Sequence, residues 1–114
     1  MASRIIHRHD TTVQPRVRLL DEDGDTLTDL ATATVKYTMR NVASGALKIN
    51  RASATVPNQT AYPGEVYYQF VAGDVDTAGT YVEEWEVTHA DLTKETFPAG
   101  SVQYVEIVAD YDNV

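Results

Sequence analysis

Apolar side chains recur at every second position along most of this chain, in short runs separated by clusters of Gly, Pro, Asn, Asp and Ser, while helical spacing is scarce. Such alternation predicts strands with one face buried, joined by turns. Val13, Pro15, Val17 and Leu19 alternate with Gln14, Arg16 and Arg18, which gives a first strand over 13–19. It belongs at a sheet edge, because Pro15 offers no ladder N–H. Thr34–Asn41 sets Val35, Tyr37 and Met39 on one face and Lys36, Thr38 and Arg40 on the other, a half-buried strand. After a turn at 43–45, short strands are predicted over 46–50 and 52–56, and residues 57–64 (PNQTAYPG) read as a loop. Val66, Tyr68 and Phe70 share a face in the next strand, residues 72–78 could hold a short helical turn, and residues 80–89 form the longest strand. There Tyr81, Trp85 and Val87 lie on one side, with Trp85 as the natural centre of the core because an indole buries so much apolar area. A hairpin turn at 90–94 and a last strand over 102–108 complete the pattern. About seven or eight short strands with closely spaced turns predict an all-β fold, and an immunoglobulin-like antiparallel β-sandwich matches in size and spacing.

At 114 residues the chain suits one domain. We divide it into an N-terminal arm (1–12), a sandwich (13–109) and a short tail (110–114). The formal charge of −8 repels phosphate backbones and argues against nucleic acid as a partner. The first 20 residues run the other way: Arg4, Arg8, Arg16 and Arg18 against Asp10 give +3 and leave −11 on the rest. A basic end on an acidic body can steer toward an acidic neighbour, including a second copy. Cysteine is absent, so disulfides and thiolate metal sites are excluded. The start, MASRIIHRHD, lacks the apolar core of a secretory signal, and no apolar run is long enough to cross a bilayer. A soluble, non-exported protein without a membrane partner is therefore expected.

The stretch DEDGD, residues 21–25, packs four carboxylates around one glycine. Asp21, Asp23 and Asp25 offer the alternate oxygens of a calcium loop, but that loop needs glycine at its sixth position and glutamate at its twelfth, where this chain has Thr26 and Thr32. The stretch reads as an acidic turn in which Asp23 and Gly24 both tolerate positive φ, with these aspartates as the candidates should any metal bind. Glu83, Glu84 and Glu86 surround Trp85; alternation turns Glu84 and Glu86 outward and puts Glu83 on the side of Tyr81. A glycosidase needs two carboxylates facing across a cleft, which neighbours on one strand do not provide. His7, His9 and Asp10 could hold a transition metal only with further ligands, and His89 is distant in sequence. Asn58-Gln59-Thr60 satisfies a glycosylation pattern that has no secretory context. With no acid, base and nucleophile to assemble, we expect no enzyme, no cofactor and no small-molecule substrate. Tyr67 and Tyr104 fall off the expected core face, and the last strand is apolar on both sides, with Val102, Tyr104 and Val108 opposite Val105 and Ile107. A second apolar face fits either packing against another chain or an interior strand.

The order of these segments resembles the immunoglobulin-like domain at the N-terminus of baseplate upper proteins of tailed bacteriophages. The resemblance is carried by Asp29, Leu30, Ala33 and Val35 leading to Met39-Arg40; by Gly64, Val66, Tyr68 and Phe70; by Ala72, Gly73 and Asp74; by Gly79, Thr80 and Tyr81; and by Thr96, Phe97 and Pro98. It spans about residues 13–108 and implies a non-enzymatic structural protein of the virion, assembled in the host cytoplasm through contacts with other virion proteins and with copies of itself. The longer members continue into further domains that hold receptor-binding proteins, whereas this sequence stops at Val114, so attachment of a receptor-binding protein is not carried over. Under this reading Arg4, Arg8, Tyr67, Tyr104, Val102 and Val108 are the interface candidates, with the arm ordering against a neighbour. The alternatives are a capsid decoration protein of the same fold, or a carbohydrate-binding module using loop tyrosines such as Tyr62 with calcium at Asp21, Asp23 and Asp25.

Overall fold

A computed structural model of the chain describes residues 2–21, 23–97 and 103–109. Eight strands form two sheets: β1 (Ala2–His7), β2 (Arg16–Arg18), β3 (Thr34–Asn41), β4 (Leu47–Ser53), β5 (Glu65–Tyr67), β6 (Gly79–Thr88), β7 (Lys94–Phe97) and β8 (Gln103–Val108). The large sheet runs in the order β1-β8-β6-β3-β4, with β7 also pairing with β6, and β2-β5 make the small sheet. The protein is an all-β sandwich, as the alternation predicts.

Strand β6 organises the large sheet. One edge pairs with β3 from Thr34↔Thr88 to Asn41↔Tyr81; the other pairs first with β7, at Trp85↔Phe97, and then with β8, at Tyr81↔Val105. Its inward residues Tyr81, Glu83, Trp85 and Val87 are all buried, as are Val35, Tyr37 and Met39 of β3 and Val105 and Ile107 of β8. Val66, Tyr68 and Phe70 complete the core together with Leu19, Leu30 and Val75. Tyr37 is the aromatic centre, stacked on Tyr68 at 4.7 Å between ring centroids and tilted against Trp85 at 4.6 Å. Enclosure on this scale makes Trp85→Ala a change costing about 3–5 kcal/mol. Near the start of β6, the Tyr81 hydroxyl donates to the Thr77 carbonyl at 2.9 Å, the tyrosine corner typical of immunoglobulin-like sandwiches.

The structure revises several local expectations. The first predicted strand shrinks to Arg16–Arg18, with Pro15 buried and its carbonyl accepting from Tyr68 N–H. The two short strands expected around residue 51 are one, β4, because Arg51 takes a left-handed φ of 53° and the ladder to β3 continues past the irregularity. Beyond β4 the chain crosses between sheets: Ala54 N–H donates to Val35 O, and Thr55 then bridges to Tyr67. Residues 72–78 form turns without a helix, and the short 3-10 turn lies instead at Leu30–Thr32.

The largest difference concerns residues 1–12. Ala2–His7, expected to belong to an arm, form β1, which pairs with β8 in parallel from Ala2↔Gln103 to His7↔Val108. The sheet is therefore mixed and not wholly antiparallel. Ile6 is buried and Ile5 is 70% exposed, so β1 has an inner and an outer face like the other strands. Val102, Glu22, Pro98 and residues 110–114 lie outside the described residues.

Candidate functional site

The chemically distinctive point is Glu83, among the described residues the one charged side chain buried in the core, at 1% exposure. Strand alternation forces it inward between Tyr81 and Trp85, and the fold answers with donors. Arg4 of β1 reaches it through Nε at 3.1 Å and through a terminal guanidinium nitrogen at 3.2 Å, a two-point pair. Tyr37 O–H donates at 2.9 Å and Trp85 Nε1–H at 3.0 Å. Four donors on two oxygens satisfy the carboxylate, and such satisfaction is what makes a buried charge tolerable. Burial, followed by the Glu83 charge, pushes the Tyr37 phenol well above its ordinary range. Arg4 also touches the small sheet, donating to Arg16 O at 3.3 Å. A cavity of about 240 Å³ lies beside this cluster, lined by Val17, Leu19, Trp85 and Phe97 among others. The only acidic group lining it among the described residues is Glu83, whose oxygens are already engaged.

A second cluster lies at the end of β6. The His89 side chain, 10% exposed, has Nε2 at 2.6 Å from Glu95 Oε1 and Nδ1 at 2.7 Å from Asp29 Oδ2, the latter close but poorly aligned for a hydrogen bond. Burial alone would lower the imidazole pKa; the Glu95 hydrogen bond and the charges of Asp29 and Glu95 outweigh it and raise the value above 6.5. The three side chains tie the β6–β7 hairpin to the segment before the 3-10 turn. The carboxylates sit on opposite nitrogens of the ring, a geometry for holding a proton and not for converging on one ion.

DEDGD is a closed turn. One oxygen of Asp21 accepts the amides of Asp23 and Asp25, each at 2.9 Å, and Gly24 N–H returns to Asp21 O. Gly24 alone among the described residues of this turn has positive φ, at 84°, so Asp23 does not share that conformation as expected. Asp21 thus caps backbone amides, and among the described residues no three His, Asp or Glu side chains are grouped to hold a metal. His7 projects from β1 while His9 sits in a left-handed turn, so the two imidazoles are not held as a strand pair. Asn58 accepts the amides of Thr60 and Ala61 and shapes its own loop.

The interface candidates fall in different places. Arg4, expected to meet an adjoining chain, is committed to Glu83 within its own chain. Arg8 is half-buried and its backbone N–H donates to Val108 O. Tyr67 is half-buried under the Arg16 guanidinium, 4.7 Å from its ring centroid, with Tyr62 on the same guanidinium at 5.8 Å. Arg16 and Arg18 share Glu65 at 3.2 and 3.4 Å. Tyr104 and Val108 are half-buried on the outer side of β8, in the middle of the sheet between β1 and β6. The reading of the last strand as interior accounts for much of its two-sided apolar pattern. The Arg4–Glu83 pair and the His89 cluster are not among the sites expected from sequence; their one sequence signal is the inward parity of Glu83.

Among the described residues no helix is long and apolar enough to cross a membrane. The sequence matches no protein-family model and no curated protein. Fold and site together define an all-β sandwich whose buried charges are engaged in holding its strands.

Proposed function

We propose that the protein is a non-enzymatic structural component of a tailed bacteriophage particle, in the tail, baseplate or neck, working through contacts with copies of itself and other virion proteins. The supporting observation is that the segments carrying the resemblance occupy successive framework positions of one sandwich. Val35 and Met39 lie in β3, and Val66, Tyr68 and Phe70 line the core. Asp74 caps the turn after Phe70, accepting from Val71 N–H at 2.8 Å and from the Tyr68 hydroxyl at 3.0 Å. Burial and then this carboxylate push the Tyr68 phenol up to about 12. Gly79–Tyr81 open β6 at the tyrosine corner. Mass spectrometry of density-purified particles, with antibody labelling in the electron microscope, tests the reading. Recovery in particles supports it, and labelling on the head would move the protein to the decoration alternative. Abundance in the lysate with absence from particles refutes both.

The outer face of the small sheet favours one other reading. Arg16 lies between Tyr67 and Tyr62, and Tyr62 is 48% exposed, a surface suited to stacking against a sugar ring. Glycan-array binding abolished by Tyr62→Ala would establish that function in place of assembly.

A further inference from the structure

We propose that β1 is an exchangeable strand, which docks into the groove beside β8 of a second copy and so builds a reciprocal dimer. The inference deepens the assembly reading above, on which its biological use rests. It names a partner, a second copy of this chain, and a surface, the edge of β8 with the Glu83 carboxylate behind it.

The groove's fit to its occupant is visible in the closed chain. β1 lies at the end of the large sheet and, among the described residues, has β8 as its one strand neighbour, so leaving breaks a single ladder. What it leaves is specific: an unpaired parallel edge from Gln103 to Val108, an empty place for Ile6, and Glu83 without its guanidinium. A replacement strand must bring an apolar residue two positions after an arginine, in parallel register. β1 of another copy meets that requirement by identity, and every ladder bond and ion pair broken on opening is remade on exchange.

The connection supplies the reach and a bias. Residues 8–15 separate β1 from β2, and eight extended residues span up to about 28 Å. In the closed chain they turn sharply: Asp10 N–H returns to His7 O at 3.1 Å, and His9, third in that turn, has φ 70°, a conformation glycine adopts more readily. His9 N–H is held by Val75 O and the Thr11 carbonyl by Gln69. Straightening this hinge relieves the left-handed His9 and gives up the Asp10–His7 turn hydrogen bond, whereas the interactions of β1 itself are the same in either form.

The cysteine-free sequence allows a direct test. Ile5 and Glu106 are paired across β1 and β8, and both side chains face outward. Ile5→Cys and Glu106→Cys are made as separate single variants, mixed, refolded together at high concentration and treated with a short bismaleimide. The double variant, treated alone when dilute, calibrates the closed chain. Exchange predicts a covalent dimer from the mixed single variants, together with a native mass of two chains. His9→Gly, which favours the closed turn, is expected to weaken that dimer about fivefold or more. No cross-link between the mixed variants, while the double variant closes within one chain, overturns the inference. Oligomers whose cross-link stays within one chain also overturn it but leave the assembly reading standing. A swapped dimer absent from particles does the reverse.

Discussion

Removing the Arg4 guanidinium tests whether the buried carboxylate organises this fold. Arg4→Ala leaves Glu83 enclosed with two neutral donors, Tyr37 O–H and Trp85 Nε1–H. Breaking a buried pair from one side costs about 3–5 kcal/mol when both partners are enclosed. The Arg4 side chain is 23% exposed, so water already screens part of its attraction, and we expect a loss of about 2–3 kcal/mol. Against a typical total of about 5–15 kcal/mol this is a large fraction, corresponding to a fall in Tm of roughly 8–12 °C at about 4 °C per kcal/mol. Glu83→Gln should cost less, about 1–2 kcal/mol, because the guanidinium it releases can turn toward solvent. Urea unfolding followed by the emission of Trp85, the single tryptophan, measures both variants and their double mutant. The expected order is Arg4→Ala above Glu83→Gln, with the double mutant below the sum of the two. If each single change costs less than about 0.5 kcal/mol and the two add, the pair is incidental and the reasoning fails.

Three further outcomes are expected. Because His89 has a raised pKa in the folded protein, its stabilisation is full below about pH 6.5 and is lost as pH rises through the higher folded value; the urea-midpoint gap between wild type and His89→Gln should shrink from pH 6 to pH 8, and a constant gap would contradict the cluster. At Gly64, φ is 78° and a Cβ would collide with Thr26 Cγ2, whereas Gly24 has φ 84° with open space around it. Thermal melts should therefore show Gly64→Ala costing about 2–3 kcal/mol and Gly24→Ala about 1 kcal/mol, and equal effects would refute the packing distinction. Tyr81→Phe removes the hydrogen bond to Thr77 and should cost about 1 kcal/mol by urea titration, with no loss expected only if that corner is ornamental.

The strands that sequence alone can locate are those whose inward residues are mostly apolar. In β3 and in most of β6, alternation and burial coincide residue by residue. β1 escapes because its inward positions are Arg4 and Ile6 while Ile5 faces water, a pattern that reads as a polar terminus until its counter-charge is known. That counter-charge is Glu83, 79 positions away along the chain, and no local rule pairs them. β4 reads as two strands for a different reason: a left-handed Arg51 breaks the periodicity without breaking the ladder. The acidic turn is legible as a turn, though the role of Asp21 as an amide cap depends on a loop shape that composition does not specify.

The parallel pairing of β1 with β8 also sets an order of events during synthesis. Ala2 meets Gln103, so β1, made before β8, has no partner until all the strands between the two have followed it. At about 5–20 residues per second that wait lasts roughly 5–20 s, far longer than the microseconds in which a hairpin such as β6–β7 closes. For that interval β1 is an unpaired strand on a polysome crowded with identical chains, each about to present the same vacant edge.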